Sequence, residues 1–172
     1  MLHFYVDGSC LGNQNVDANT PAGWGFVIVS GDNGLGKGNG EIIHEEYGIV
    51  ATSGKEWLGA EVGSNNTAEL TAIAQALRWL LKEGGNSKVI IRGDSQYAGN
   101  IATGEWKAKA NRKLAEKVQG LWNETSSMRA ITWRHVKAHS GHRWNERADH
   151  LALRAAEGKA PIGLSFWKPG QR

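Results

Sequence analysis

The amino-acid sequence predicts an α/β fold in which helices flank a five-stranded mixed sheet, with three antiparallel strands followed by two parallel strands. Strand-like segments come first, at 2–7, 24–29 and 41–50, and loops rich in Gly, Asn and Pro separate them. Two further strand-like segments, 88–92 and 131–136, alternate with helical patterns. An antiparallel portion joined to a β-α-β portion accommodates this order in one sheet.

The helices are predicted from apolar spacing and from residues that begin or end helices. The strongest pattern covers 66–81, where apolar residues recur at the spacing of one buried helix face. We expect Asn65 or Asn66 to cap its start, and Gly84 with Gly85 to end it. Three shorter helical patterns follow. One begins directly after Ser95, and the other two cover 111–122 and 145–157.

Composition places the chain among globular proteins with one core. Its 172 residues suit a single domain, and the 40% hydrophobic and 22% charged residues are ordinary values. The lone Cys10 excludes an internal disulfide and disfavours a thiolate metal site. No segment approaches the ~18 consecutive apolar residues of a membrane helix, and Asp7 interrupts the region where a secretory signal needs apolar residues. We therefore expect a cytoplasmic protein, whose net charge of +3 permits a polyanionic partner.

Two segments have no role that their residues define. The segment 31–40 carries five glycines and is interpreted as a flexible hairpin connection. A phosphate-binding loop is disfavoured there because no helix start follows it. The segment 158–172 is interpreted as a C-terminal tail, for which we expect docking or disorder, with a protein partner as the alternative.

Four acidic residues fall at comparable places in the predicted fold. Asp7 ends the first strand, Glu69 opens the first long helix, Asp94 follows the fourth strand, and Asp149 lies in the first turns of the last helix. Strand ends and neighbouring helix starts converge where α/β sheets place their sites. Clustered carboxylates repel unless cations neutralise them, and oxygen ligands without Cys favour Mg²⁺ or Mn²⁺. Taken singly, each acid could serve a helix start or a turn, so spacing alone leaves both interpretations open.

The sequence around these acids resembles a known family. The segments are YVDGSCLGN at 5–13, NNTAEL at 65–70, GDSQY at 93–97, and VKAHSGH at 136–142 with NERAD at 145–149. In this order they resemble the signature segments of type 1 ribonucleases H. The resemblance spans 2–157 and implies an RNase H-like fold, with a catalytic domain at 1–157 and the tail at 158–172.

The resemblance implies an enzyme that hydrolyses the RNA strand of RNA–DNA hybrids, leaving 5′-phosphate and 3′-hydroxyl ends. Two Mg²⁺ ions per site, or Mn²⁺ in their place, would clamp an in-line displacement at phosphorus, about 4 Å apart. Their ligands would be Asp7, Glu69, Asp94 and Asp149, with Asp7 bridging both ions. The resemblance also implies that His139 assists proton transfer or product departure and that Glu146 is an outer carboxylate.

The same resemblance implies substrate contacts. Asn13, Asn65 and Gln96 would touch the minor groove of the hybrid, where a 2′-hydroxyl distinguishes RNA from DNA. Ser64 and Asn111 would grip a phosphate of the DNA strand, a contact that positions without reading bases, so cleavage should be largely independent of sequence. Turn or cap duty is the alternative for such asparagines.

The chain departs from the family pattern in its basic region. Many members carry a long excursion rich in Lys and Trp after the second helix, which holds the hybrid, whereas the run 98–113 here is short. A reduced version around Trp106 and a solvated helix face are both compatible with its lysines. We expect a monomer, and hybrid affinity is left open.

Three other interpretations compete with a ribonuclease. The first is an integrase-like transferase of the same broad fold, against which the fourth acid and His139 argue. The second is a nucleic-acid binder with an inactive site, which the presence of all four acids disfavours. The third is a zinc site of His135, His139 and His142, whose spacing crosses a predicted strand and loop rather than one helix face.

Overall fold

One mixed sheet runs through the protein in the strand order β3-β2-β1-β4-β5. Its strands are β1 (Leu2–Cys10), β2 (Ala22–Ser30), β3 (Glu41–Ile49), β4 (Val89–Gly93) and β5 (Ile131–His135). The first three strands are antiparallel, β4 is parallel to β1, and β5 is parallel to β4. The predicted α/β fold and mixed sheet are confirmed. The structure is a computed structural model that describes residues 1–138 and 140–170.

Helices cover both faces of the sheet. They are α1 (Asn65–Glu83), α2 (Gln96–Thr103), α3 (Arg112–Met128) and α4 (Arg143–Glu157). Phe4 and Val6 of β1 pack with α1 and α3, whereas Tyr5 packs with α4, because successive strand residues point to opposite faces. Within the described ranges, no helix has both the length and the apolar character needed to cross a membrane.

Glycines let both layers of helices lie directly on the sheet. A Cβ at Gly8 would lie 2.4 Å from the backbone nitrogen of Glu69, so α1 can touch β1 only because Gly8 has no side chain. On the other face, a Cβ at Gly23 would lie 2.3 Å from the backbone oxygen of Ala152. These close approaches bring the side chains of α1 and α4 to the edge of the sheet where Asp7 lies.

The first strand is longer than the sequence predicts. It continues beyond Asp7 to Cys10, because it stays hydrogen-bonded to β2 over these residues. The expectation that Asp7 ends the strand was therefore wrong. Pairing of β1 with β4 nevertheless stops at Val6 and Gly93. Asp7 and Asp94 thus both lie immediately beyond the end of the parallel pairing, where the two strands can no longer bond to each other.

The start of α1 also differs from the prediction. Ser64 is the cap, rather than Asn65 or Asn66. The Ser64 hydroxyl accepts a hydrogen bond from the Thr67 backbone nitrogen at 3.0 Å, and the Thr67 hydroxyl accepts one from the Ser64 nitrogen at 2.9 Å. This reciprocal cap shifts the helix start, so Glu69 lies beyond the first turn, where its side chain is buried. It does not open the helix as the sequence suggested.

The tail docks on α4 as far as residue 170. The Trp167 side chain is 3% exposed, and the guanidinium of Arg147 lies 5.4 Å from its ring centre. The same guanidinium donates a hydrogen bond to the backbone oxygen of Ile162 at 2.7 Å. The backbone nitrogen of Ile162 donates to His150 Nε2 at 2.9 Å. The tail therefore covers the outer side of α4, as the docking expectation required.

We expect Trp167→Ala to lower the free energy of unfolding by about 3 kcal/mol, because it removes a buried indole from α4. Phe166→Ala is the matched control, since Phe166 is 81% exposed. It should change the free energy of unfolding by less than about 0.5 kcal/mol. Urea denaturation measures both. Equal effects of the two substitutions would contradict a docked tail.

Candidate active site

Three acidic side chains meet at the end of the parallel pairing. Asp7, Glu69 and Asp94 each offer a carboxylate oxygen, and these oxygens all lie within 4.8 Å of one another. Asp7 is 3% exposed and Glu69 is 9% exposed, while Asp94 is partly buried. Within the part of the chain that the structure describes, no other group of three His, Cys, Asp or Glu side chains converges in this way. The convergence predicted from the sequence is therefore present for these three acids.

Burial makes the ionised state of this cluster unfavourable. It raises the pKa of Asp7 well above the usual value, and the charges of Glu69 and Asp94 raise it further. Burial also raises the pKa of Glu69 to about 8, although hydrogen bonds from Asp7 and from the Gly8 backbone act in the opposite direction. Without a cation, the Asp7–Glu69 pair therefore retains a proton at neutral pH.

The fourth predicted acid lies beside this cluster rather than within it. Asp149 is half-buried on α4, which packs on the sheet face opposite α1. Its charge raises the pKa of both Asp7 and Glu69, so it lies within electrostatic range of them. Its oxygens do not belong to the group that lies within 4.8 Å. The structure thus shows a triad of carboxylates with a fourth one nearby.

The backbone and neighbouring side chains hold the acids in place. The Gly8 nitrogen donates to Asp7 Oδ1 at 2.9 Å. His135 Nε2 lies 3.1 Å from the backbone oxygen of Asp94. The Asn145 amide nitrogen lies 3.5 Å from Asp94 Oδ2, and the Asn145 side chain is buried. Asn145 did not emerge as a site residue from the sequence, although it directly precedes Glu146 in the NERAD segment.

The residues expected to contact substrate lie in three places. Asn13 Oδ1 accepts a hydrogen bond from the Asn65 nitrogen at 3.1 Å, which joins the loop after β1 to the start of α1. Ser64 lies beside them, with its hydroxyl engaged in the helix cap. Gln96 is exposed at the first position of α2. Asn111 takes the cap position of α3 with φ 54° and makes no side-chain cap bond, so cap duty does not account for its side chain.

The remaining expected site residues are Glu146 and His139. The Glu146 carboxylate accepts a hydrogen bond from the Gly170 nitrogen, so it faces the docked tail. His139 lies outside the described residues. His142, the third member of the alternative zinc set, packs against the Tyr5 ring with 4.8 Å between ring centres and 49° between the ring planes.

The shortened basic region borders a cavity beside the start of α1. This cavity has a volume of about 560 Å³ and is lined by both aromatic and cationic side chains. Trp106 is 50% exposed there, and Lys107, Lys109 and Glu105 line the same cavity. An exposed indole beside two lysines is a surface that can hold a nucleic-acid strand by stacking and by charge.

We expect Glu69→Gln to flatten the pH dependence of stability in the metal-free protein. The raised pKa means that the folded protein favours the protonated Glu69 carboxyl. In the unfolded chain this carboxyl is mostly protonated only below about pH 4.5. The stabilisation by protonated Glu69 is therefore complete in acid and is lost as the pH rises through about 8. The uncharged glutamine avoids this loss.

Thermal unfolding with a chelator present, at pH values between about 5 and 9, measures this effect. The wild-type Tm should fall more steeply with pH than that of Glu69→Gln. The control is Glu124→Gln, which removes an exposed carboxylate of α3 and should retain the wild-type slope. Identical slopes in all three proteins would argue against a destabilising charge at Glu69.

The comparisons with known proteins agree with this geometry. The family model for RNase H matches residues 1–157. Ribonuclease H of Anaplasma marginale is 34% identical over 92% of this chain and 92% of that protein. Ribonuclease H of Caulobacter sp. is 35% identical over 88% of this chain and 86% of that protein.

Solved structures show the same fold. RNase H1 of the halophilic archaeon Halobacterium salinarum has a TM-score of 0.65 at 28% identity, covering 91% of this chain and 98% of that one. LC11-RNase H1 in complex with an RNA/DNA hybrid has a TM-score of 0.65 at 24% identity, covering 92% and 98%. The family match over 1–157 and the identity to curated relatives establish that this chain belongs to the ribonuclease H family and is a ribonuclease H enzyme.

Proposed function

We propose that the protein hydrolyses the RNA strand of RNA–DNA hybrids by two-metal-ion catalysis, leaving 5′-phosphate and 3′-hydroxyl ends. The observation that carries this proposal is the convergence of Asp7, Glu69 and Asp94 within 4.8 Å in a member of the ribonuclease H family. The hybrid-bound structure of LC11-RNase H1 supports the choice of substrate. Residues 1–157 form the catalytic domain in this proposal, and 158–172 form the tail.

The donor set fits hard divalent cations. The triad offers only carboxylate oxygens, which Mg²⁺ and Mn²⁺ prefer, and burial makes their uncompensated charge costly. Asp7, Glu69 and Asp94 would hold the ions, with Asp149 contributing from α4. Bound ions would supply a water of lowered pKa and stabilisation of the leaving 3′ oxygen.

The protein's own residues would orient the substrate and move protons. Asn13, Asn65 and Gln96 contact the minor groove of the hybrid, and a 2′-hydroxyl contact there selects RNA. Ser64 and Asn111 hold a phosphate of the DNA strand, so cleavage depends little on sequence. The Ser64 hydroxyl is engaged in the α1 cap. In this proposal Ser64 therefore contributes to the phosphate contact by fixing the exposed start of α1.

His139 and Glu146 complete the proposed machinery. His139 assists proton transfer or product departure, because an imidazole titrates near neutral pH. Glu146 acts as an outer carboxylate on the same helix as Asp149. The surface formed by Trp106, Lys107 and Lys109 is a reduced form of the family's basic region. We also propose that the protein is a cytoplasmic monomer. If the tail binds a protein partner, the exposed Phe166 is the apolar side chain available for that contact.

A cleavage assay with Mg²⁺ and three labelled duplexes tests this function. The duplexes are RNA–DNA, RNA–RNA and DNA–DNA, and we expect cutting only in the RNA strand of the hybrid. The products should carry 5′-phosphate and 3′-hydroxyl ends. Strand joining would instead identify a transferase, and binding without cutting would identify an inactive binder; either result would contradict the proposal.

The matched variants in this assay are Asp94→Asn and Glu124→Gln. Asp94→Asn should lower kcat more than about 100-fold, which exceeds the 10- to 100-fold typical of losing a partner outside the metal ligands. Its fold should persist, as measured by circular dichroism. Glu124→Gln removes one exposed carboxylate and should retain wild-type activity. Activity retained in Asp94→Asn would remove Asp94 from the metal ligands.

A further inference from the structure

We propose that the glycine-rich segment 31–40 is a clamp that holds the start of α4, together with its cap residue His142, in the position that catalysis requires. The clamp segment joins β2 to β3 and contributes none of the expected site residues. The proposal rests on the proposed function for its purpose, but its contacts are independent of that function.

Backbone oxygens of the clamp segment face three consecutive residues at the start of α4. The Arg143 nitrogen donates to the Gly36 oxygen at 2.9 Å. The Trp144 indole nitrogen donates to the Asn39 oxygen at 3.1 Å, and His142 Nε2 lies 3.4 Å from the Gly34 oxygen.

These contacts replace an ordinary helix cap. The first backbone N–H groups of a helix have no partner within it, and a side chain at the cap position usually satisfies one of them. His142 occupies the cap position of α4 and makes no such bond. The Gly36 oxygen therefore satisfies the Arg143 amide that the helix leaves open.

The clamp segment is itself fixed to the strand that carries Asp7. The Asp32 carboxylate, whose side chain is 1% exposed, accepts hydrogen bonds from the Tyr5 hydroxyl and from the Gly34 nitrogen. Tyr5 also packs against the His142 ring. Tyr5 and Asp7 share one face of β1, because alternate strand residues point the same way. The clamp segment and His142 are thus both packed against the strand that carries Asp7.

Glycine at position 36 is required for this packing. Its φ is +75°, which disfavours other residues, and a Cβ there would lie 2.3 Å from Cγ of the His142 ring. Any side chain at this position would displace the His142 ring. This close approach accounts for the glycine at position 36, which had no explanation from sequence.

The position of α4 matters because two side chains of the site depend on it. Asn145, which contacts Asp94, and the carboxylate of Asp149 both lie on α4. A displacement of about 1 Å at a reacting centre can cost about 100-fold in rate. Gly36, Asn39 and Asp32 are therefore positioning residues, which should affect kcat rather than substrate binding.

Gly36→Ala tests the proposal against a matched control, Gly54→Ala. Both glycines have positive φ, at +75° and +84°, so both variants carry similar backbone strain. A Cβ at Gly54 meets no atom within 4 Å, whereas one at Gly36 collides with His142. We expect Gly36→Ala to lower kcat about tenfold while KM for the hybrid changes less than about twofold. Gly54→Ala should retain the wild-type kcat.

Hydrogen exchange measured by NMR gives a second readout that does not depend on activity. The Arg143 amide should exchange faster in Gly36→Ala than in wild type, and should be unchanged in Gly54→Ala. Trp144→Phe removes the indole donor to Asn39 and keeps an aromatic ring in the buried position beneath the Arg143 guanidinium. It should lower kcat in the same direction even if Gly36→Ala does not fold.

The outcomes separate the two proposals. Wild-type kcat or wild-type Arg143 exchange in folded Gly36→Ala would overturn the clamp, as would wild-type kcat in Trp144→Phe. A wild-type protein that cuts no hybrid would overturn the proposed function instead, and the exchange comparison would still decide whether the clamp segment holds α4.

Discussion

Mutual repulsion among three clustered carboxylates, two of them buried, is the constraint on which the rest of this structure depends. Asp7, Glu69 and Asp94 lie within 4.8 Å of one another, and Asp7 and Glu69 have little access to water. Such an arrangement destabilises the fold whenever the acids are ionised and uncompensated. Binding of divalent cations would compensate the charge of this cluster. It would therefore account for a donor set made only of oxygens and for the burial of its acids. In the proposed mechanism, the same clustered negative charge holds the cations on which hydrolysis depends.

The architecture forces this convergence from both faces of the sheet. Pairing between β1 and β4 ends at Val6 and Gly93, which leaves the next residue of each chain segment, an aspartate, facing the same space. Gly8 lets α1 approach closely enough for Glu69 to join them. On the opposite face α4 brings a fourth carboxylate near, and the contacts of the clamp segment set where that helix begins.

Local patterns in the sequence predicted much of this, and long-range contacts account for what they missed. Strand alternation and helix spacing predicted a mixed sheet flanked by helices and placed the acids near one edge of it, whereas the strand order came from the structure. Apolar spacing ends at Trp122, yet α3 continues to Met128, because polar residues such as Thr125 are buried within it. The docking of 31–40 against His142 joins residues far apart in the chain, so no local pattern shows it.

Proton release on metal binding tests the central claim most directly. Adding Mg²⁺ or Mn²⁺ to unbuffered protein near pH 7 should release protons, because the cation displaces the proton that Asp7 and Glu69 retain when metal-free. Glu69→Gln, which lacks one of the two acids, should release fewer. Metal binding without proton release in the wild-type protein, or no metal binding at all, would contradict a buried carboxylate cluster that divalent cations compensate.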